Sequence, residues 1–250
     1  MRAALGVVSL SVCVVVVACR WTAATSERPT TAPLEEHTSL SSGTIARALS
    51  VITPARARAA EDHEETRRRI RDAQAGTYIG DVLAGRDSSL SRWPDRRGIP
   101  LTVWIQPQAK IDDFTTNLVA RVRQAFMEWG AVNLPIRFTF VDDSADADVH
   151  VTFIDRFKEP ISGRTRWSRD DDWWITDANI VLAVHHNQGE TLDEDSMRAM
   201  ALHEIGHLLG LDHTRDSMSV MAPKVRVRQL SDADRATARL LYALPAGPLR

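Results

Sequence analysis

Apolar residues recur with the period of β-strands in five segments between residues 99 and 184. Each segment has either strict alternation or a short run of β-branched and aromatic residues, and polar or turn residues separate the segments. Strands are therefore predicted at residues 99–105, 135–141, 147–153, 163–167 and 179–184. Such strands interleaved with helices predict a mixed α and β architecture.

Three further segments have the period of amphipathic helices. One is predicted to start at Asp112, as the cap, and to end near Gly130, with a buried apolar stripe. The stripe consists of Leu118, Val122, Ala125, Phe126 and Trp129. A second helix is predicted over residues 192–209, with Thr191 and Glu194 as its capping box. A third begins at Leu230-Ser231-Asp232 and runs to Tyr242.

The first nineteen residues have the pattern of a targeting segment. Arg2 precedes an apolar run at residues 5–18, which is short for a membrane span but suits the core of a signal peptide. Residues 16–19, Val-Val-Ala-Cys, resemble a bacterial lipobox, which implies cleavage before Cys19 and lipid attachment to its thiol. The alternative is an ordinary signal peptide that contains a cysteine. Either reading predicts a bacterial protein outside the cytoplasm, as an envelope lipoprotein anchored to the membrane or as a secreted protein.

Composition divides the chain into four expected parts. Residues 1–18 are the signal peptide, and residues 19–43, rich in Thr, Ser, Ala and Pro, are a disordered tether. Residues 44–87 are a partly helical extension, either a spacer or a pro-segment, and residues 88–250 are the folded domain. Both cysteines of the 250-residue chain lie in its first twenty residues, so the body has no disulfide framework. The net charge of -2, with well-mixed signs, argues against a nucleic-acid partner, and a monomer is expected.

Residues 203–213, His-Glu-Ile-Gly-His-Leu-Leu-Gly-Leu-Asp-His, contain the candidate chemistry. His203 and His207 are four apart, which places both imidazoles on one face of a helix. Gly210 follows where a helix can end in the left-handed conformation, so the chain can turn back and present His213. Three imidazoles with one open position are typical of a catalytic zinc site. Glu204 lies beside the metal without needing to bind it.

Two other interpretations also fit the sequence of this segment. One is a helix with two surface histidines and a C-capping glycine. The other is a folded zinc site without catalysis, against which the presence of Glu204 argues, because an inactive relative would most easily lose that residue.

The segment matches the long metzincin signature, H-E-x-x-H-x-x-G-x-x-H, at every defined position. Within the metzincins the chain most resembles the matrixins, because Met221 in Ser219-Val220-Met221-Ala222-Pro223 is similar to the Met-turn of that family. The resemblance covers roughly residues 90–245. It implies an α+β metzincin fold: a mixed twisted sheet of about five strands with an active-site helix, a helix packed behind the sheet and a C-terminal helix.

The same resemblance implies a zinc-dependent endopeptidase of protein or peptide substrates. Zinc held by His203, His207 and His213 would bind a water that Glu204 activates, and Met221 would lie beneath the imidazoles. Asp234 would anchor the Met-turn from the last helix. The strand at residues 179–184 would pair with an extended substrate as an added edge strand. The alternative is a catalytically inactive zinc-binding envelope module that recognises peptides or partners.

The chain also departs from animal matrixins. Residues 151–184 contain no histidine, so the structural zinc site of those relatives is predicted to be absent. Calcium remains possible at Asp170-Asp171-Asp172, although an acidic turn is the preferred interpretation. No cysteine follows Cys19, so a cysteine switch on the zinc is excluded, and Ala222 takes the place of a tyrosine that assists in some metzincins. His185 and His186 are weak candidates for further ligands.

Overall fold

The computed structural model describes residues 54–249, and side chains from residue 64 onward. The expected signal segment, Cys19 and the expected tether therefore lie outside the described residues. The chain from Thr66 onward belongs to one compact unit, which is described below. Within the described residues no helix has the length and apolar character needed to cross a membrane.

The described residues contain five helices and seven strands, numbered here in chain order. The helices are α1 Pro54–Ala73, α2 Ile79–Gly85, α3 Thr116–Gly130, α4 Glu194–Leu208 and α5 Asp232–Ala243. The strands are β1 Ser89–Leu90, β2 Arg96–Ile105, β3 Ile136–Val141, β4 Val149–Ile154, β5 Gly163–Arg169, β6 Ile175–Ala183 and β7 Gly247–Pro248. Short 3₁₀ turns lie at Gln74–Gly76 and Ser144–Asp146. The five long strands and the three amphipathic helices predicted from the hydrophobic periods are thereby confirmed.

Five strands form one twisted sheet in the order β3-β2-β4-β6-β5. The pairs β2–β3, β2–β4 and β4–β6 are parallel, and β5–β6 is antiparallel. Helices α3 and α4 pack together, and the stripe predicted on α3 is buried. The mixed sheet and its helices confirm the α+β metzincin class predicted from the sequence.

The edge strand differs from the expectation. The strand predicted to accept a substrate, now β6, pairs with β4 on one side and β5 on the other, so it has no free edge. The open edge on this side of the sheet belongs to β5. The prediction failed because the period of a strand identifies its buried face but not its neighbours in the sheet.

Both predicted N-terminal caps are also wrong. Helix α3 begins after Thr115, which makes no side-chain capping bond, and not at Asp112. The N-cap of α4 is Asp193, whose side chain accepts from the Ser196 amide at 2.6 Å. Thr191 instead donates to Asp113, which lies far away in sequence. A capping box does occur in the domain, but it joins Ser231 and Asp234 at the start of α5.

Gly210 ends α4 in the way the sequence predicts. Its φ is +99°, the Leu211 amide donates to the Gly206 carbonyl, and the Gly210 amide donates to the His207 carbonyl. These two bonds define a Schellman motif, which requires a left-handed residue at this position. A Cβ atom on Gly210 would also lie 2.3 Å from the Ser91 carbonyl oxygen, so glycine is needed here for space as well.

The core begins before the expected boundary at residue 88. Tyr78, Ile79 and Val82 are buried in the same hydrophobic cluster as the strands and α4. Tyr78 also bonds α5, through its amide to Thr237 at 3.0 Å and through its hydroxyl to Asp234 at 3.0 Å. The expected domain boundary therefore falls inside the packed unit, because α2 contributes apolar side chains that the N-terminal sequence pattern did not reveal.

Candidate active site

Three histidines from α4 and the loop after it converge on one point. His207 Nε2 lies 3.2 Å from His203 Nε2, and His213 Nε2 lies 3.4 Å from the same atom. Among the described residues this is the one group of three or more potential ligands found close enough to hold a metal ion. The spacing of four on α4 and the turn at Gly210 together produce this convergence.

The donor geometry fits a tetrahedral zinc ion. Bonds of 2.0–2.1 Å at tetrahedral angles place ligand nitrogens about 3.3 Å apart, close to the observed separations. His203 Nδ1 donates to the Val220 carbonyl at 2.6 Å, and His207 Nδ1 donates to the Leu211 carbonyl at 3.1 Å. A carbonyl only accepts, so each neutral ring carries its proton on Nδ1 and leaves the Nε2 lone pair free for a metal.

The environment keeps these rings neutral. Burial lowers the pKa of His203 to about 4, and burial also lowers the pKa values of His207 and His213. Neutral imidazoles are the form that binds metal, so the three rings are ready to bind zinc at neutral pH without releasing protons.

Glu204 is buried and faces the edge strand. Its Oε2 atom lies 2.6 Å from the Thr165 hydroxyl, and a Cβ on Gly163 would meet Glu204 Oε1 at 2.4 Å. Burial raises the pKa of Glu204 to about 7, against a smaller lowering by the Thr165 hydrogen bond. A carboxyl group with a pKa near neutrality suits a group that takes up and releases a proton.

The segment around Met221 packs against α4 and holds His203 in position. Met221 is fully buried, and its sulfur packs so closely on Gly206 that a Cβ there would lie 2.3 Å away. The preceding residue, Val220, supplies the carbonyl that orients His203. Asp234, also fully buried, accepts from the Ser219 hydroxyl and from the Val220 amide at 3.3 Å. This places Asp234 as the anchor of the turn, as the resemblance implied.

The other histidines lie elsewhere. His185 is buried between two carboxylates, with Nδ1 2.7 Å from Asp155 and Nε2 3.1 Å from Asp113. His186 Nδ1 is 3.0 Å from the Ser162 hydroxyl, and His150 bonds the Ser144 carbonyl. Asp170, at the candidate calcium turn, accepts from the amides of Asp172 and Trp174 and so caps an acidic turn.

Sequence reasoning missed three features of the site. Thr165 and Gly163 contact Glu204, and Val220 orients His203. The alternation of β5 could have placed Gly163 and Thr165 on one face, but nothing in the sequence pairs that face with Glu204. Val220 acts through its backbone carbonyl, and the residue type at a position does not reveal such a role.

A mixed five-stranded sheet over a helix that carries two of three converging histidines defines an α+β protein of the metzincin class. The family model described as Matrixin matches residues 92–243. That match covers more than half of the chain, and the chain belongs to the matrixin family.

Several curated proteins are similar to part of this chain. Metalloendoproteinase 1-MMP from Arabidopsis thaliana is 30% identical over 146 residues, which are 51% of this chain and 38% of that protein. Matrix metalloproteinase-C from Caenorhabditis elegans is 26% identical over 63% of this chain and 28% of its own length. Matrix metalloproteinase-19 from Homo sapiens is 34% identical over 42% of this chain and 21% of its own length. The chain therefore spans well under half of each of these relatives.

Proposed function

We propose that this protein is a zinc-dependent endopeptidase that hydrolyses peptide bonds of protein substrates, with Glu204 as general base. The observation that carries the proposal is the convergence of three Nε2 atoms at 3.2 and 3.4 Å beside a buried glutamate. The relatives named metalloendoproteinases and matrix metalloproteinases support it.

Each residue of the site has a separate role in this proposal. His203, His207 and His213 hold the zinc ion, which when bound acts as a Lewis acid on the scissile carbonyl and lowers the pKa of water. Glu204 accepts a proton from the attacking water and delivers it to the leaving nitrogen. Thr165 and Gly163 fix the direction of the Glu204 carboxyl, because both lie against it. The Val220 carbonyl keeps His203 in the metal-binding tautomer.

We also propose that an extended substrate pairs with the open edge of β5. The Ser162 carbonyl accepts from the Ala183 amide, and this pattern alternates along an antiparallel ladder. Arg164 and Arg166 therefore direct their backbone groups toward β6, and Gly163, Thr165 and Trp167 direct theirs toward the open edge. A substrate strand that bonds Gly163 and Thr165 passes directly beside Glu204.

Metal analysis and a cleavage assay test the proposal together. We expect the purified protein to bind one zinc per chain and to cleave casein, and a chelator to abolish cleavage. Glu204→Gln should retain zinc and the fold but lose roughly 10²-fold or more in rate, the scale of a general base. Zinc binding without any turnover would instead support an inactive module that recognises peptides. The absence of stoichiometric zinc would contradict both the peptidase and the inactive zinc-binding module.

We further propose that the protein acts outside the cytoplasm, either lipidated at Cys19 or secreted. The apolar run at residues 5–18 and the lipobox-like residues 16–19 support this location. Expressed in a bacterium, the wild type should fractionate with membranes, and Cys19→Ala should move it to the soluble extracytoplasmic fraction. If the wild type and Cys19→Ala both remain in the cytoplasm, the proposed location is wrong. If both proteins are exported in soluble form, the location stands and only the lipid anchor is wrong.

A further inference from the structure

The two faces of β5 differ sharply in chemistry. Gly163, Thr165 and Trp167 face α4, since the first two contact Glu204 and Trp167 packs against the hydrophobic core. Arg164 and Arg166 alternate with them and so lie on the opposite face of the sheet. The strand that borders the active site therefore presents two arginines, with one residue between them, on its outer face.

A substrate strand added to β5 brings its own side chains next to these arginines. Because Arg164 and Arg166 direct their backbone groups toward β6, each forms a non-hydrogen-bonded pair with the residue opposite it in an added antiparallel strand. The Cβ atoms of such pairs lie about 4.5–5.5 Å apart on the same face of the sheet. Two substrate residues, with one residue between them, thus lie beside Arg164 and Arg166.

The surroundings of these arginines are predominantly cationic. Both line an outer-face pocket of about 480 Å³ together with Arg156 and Lys158, and Glu159 is the one acidic residue in its lining. Two of the four cations already have acidic partners, since Arg156 bonds Asp155 at 2.8 Å and Arg164 bonds Glu159 at 3.1 Å. Within residues 64–249, Arg166 and Lys158 form no ion pair, and Arg166 is exposed.

We propose that Arg166, with Arg164 as the weaker contributor, selects substrates with acidic side chains at two positions separated by one residue. This inference rests on the proposed peptidase function and on substrate pairing with β5. An aspartate or glutamate opposite Arg166 forms a cross-strand ion pair, and a lysine at the same position meets a cationic surface. Arg166 is the stronger determinant because its charge has no acidic partner, whereas Arg164 already bonds Glu159.

Matched peptides with Glu, Gln or Lys scanned through each position around one cleavage site provide the test. For the wild type we expect a roughly three- to ten-fold preference in kcat/KM for Glu over Lys at two alternate positions, the range of partly exposed ion pairs. Raising the salt concentration to about 0.5 M should reduce that preference, because exposed charges are screened. Equal cleavage of the Glu and Lys peptides at every position would overturn the inference.

Charge-reversal variants assign the preference to a residue. Arg166→Glu should reverse the preference at one position, and Arg164→Glu should weaken it at the position two residues away. Arg137→Glu is the control: Arg137 is exposed on β3, at the opposite edge of the sheet, and its reversal changes the net charge equally. It should leave both preferences unchanged. A preference that shifts equally in Arg166→Glu and Arg137→Glu reflects net charge alone and rejects the proposal.

A binding measurement separates this inference from the proposed function. The Glu204→Gln protein, loaded with zinc, should bind labelled Glu peptides more tightly than Lys peptides by a similar factor, even without turnover. If the wild type cleaves none of the peptides but this binding preference is present, the peptidase proposal fails and the site for acidic peptides stands. If cleavage occurs with no preference in either assay, only the selectivity is wrong.

Discussion

The Thr165 hydroxyl lies 2.6 Å from Glu204 Oε2 and 2.9 Å from the Glu204 carbonyl oxygen. A hydroxyl has one proton to donate, so these two acceptors share it. The edge strand that we propose as the substrate platform is thus hydrogen-bonded to the side chain that we propose as the general base. A change at Thr165 should therefore affect catalysis more than peptide binding.

Thr165→Val removes this hydroxyl and keeps the branched shape of the side chain. The Thr165 hydrogen bond lowers the pKa of Glu204, so its loss should raise that pKa above its value of about 7. Less Glu204 is then ionised at neutral pH, and kcat should fall roughly three- to ten-fold with little change in KM. The acidic limb of the pH profile should move to higher pH.

Thr165→Ser serves as the control for this prediction because it restores the hydroxyl. We expect its pH profile to lie close to that of the wild type. If Thr165→Ser, which keeps the hydroxyl, lowers kcat as much as Thr165→Val, the hydrogen bond to Glu204 does not set the rate and the prediction is wrong.

Asp234→Asn tests the anchor beneath the histidines. Asp234 is fully buried and accepts from Tyr78, Ser219, Val220 and Ser231. The NH₂ group of an asparagine would face groups that now donate to the Asp234 carboxylate, and two donors cannot bond each other. The free energy of unfolding should therefore fall by about 2–4 kcal/mol. Because Val220 orients His203, zinc affinity should fall as well.

Asp232→Asn is a matched control for Asp234→Asn, since Asp232 lies exposed in the same helical turn. Urea unfolding should show little change for this variant, and competition with a chelator should show an unchanged zinc affinity. Equal losses of unfolding free energy in the two variants would mean that the buried network does not stabilise the turn.

The fold class and the convergence of His203, His207 and His213 are the parts that sequence could predict, and the reasons are local. The buried stripe on α3 follows the period of a helix, and the turn at Gly210 depends only on residues adjacent to it in sequence. The position of β5 at the edge depends on contacts across the sheet, which no period encodes. The sequence pattern predicts Thr191 as a cap, but Thr191 bonds Asp113, because a tertiary partner competes with the local one.

Gly206→Ala should destabilise the protein, although the same change stabilises most helices. A Cβ at Gly206 would lie 2.3 Å from the Met221 sulfur and 3.1 Å from Met221 Cε. Met221 is fully buried and cannot move without disturbing the turn, so the loss should be about 1–3 kcal/mol. Gly80→Ala is the matched control: Gly80 lies in α2, with no atom within 4 Å of its added Cβ. It should be neutral or stabilising by up to about 1 kcal/mol.

A double variant identifies the clash as the cause. Met221→Ala alone should destabilise the core, but Gly206→Ala combined with Met221→Ala should cost less than the sum of the two single changes. Thermal or urea unfolding of the four proteins measures this coupling. Strict additivity would show that the added methyl group disturbs something other than Met221.

His185 makes stability depend on pH through its two carboxylate partners. Hydrogen bonds that His185 donates to the carboxylates of Asp113 and Asp155 raise the pKa of His185 above its ordinary value of 6.5. A group with a raised pKa in the folded state contributes its full stabilisation below 6.5, and that contribution is lost as the pH rises through the higher folded-state value. The pKa of Asp113 is lowered from 3.8, chiefly by its hydrogen bond to His185, so the carboxylate contribution is lost only in strong acid.

His185→Gln should therefore lower Tm more at about pH 5.5 than at about pH 8.5. Both carboxylates are largely exposed, so solvent screens these interactions and the difference should amount to a few degrees. His150→Gln is the control, because His150 bonds a backbone carbonyl and not a carboxylate. The clamp formed by His185, Asp113 and Asp155 joins the end of β6 to the loop before α3, so its loss should also increase amide exchange in that loop at the lower pH. A Tm loss in His185→Gln that is equal at both pH values would show that the packing of the ring, and not its charge, stabilises this corner of the fold.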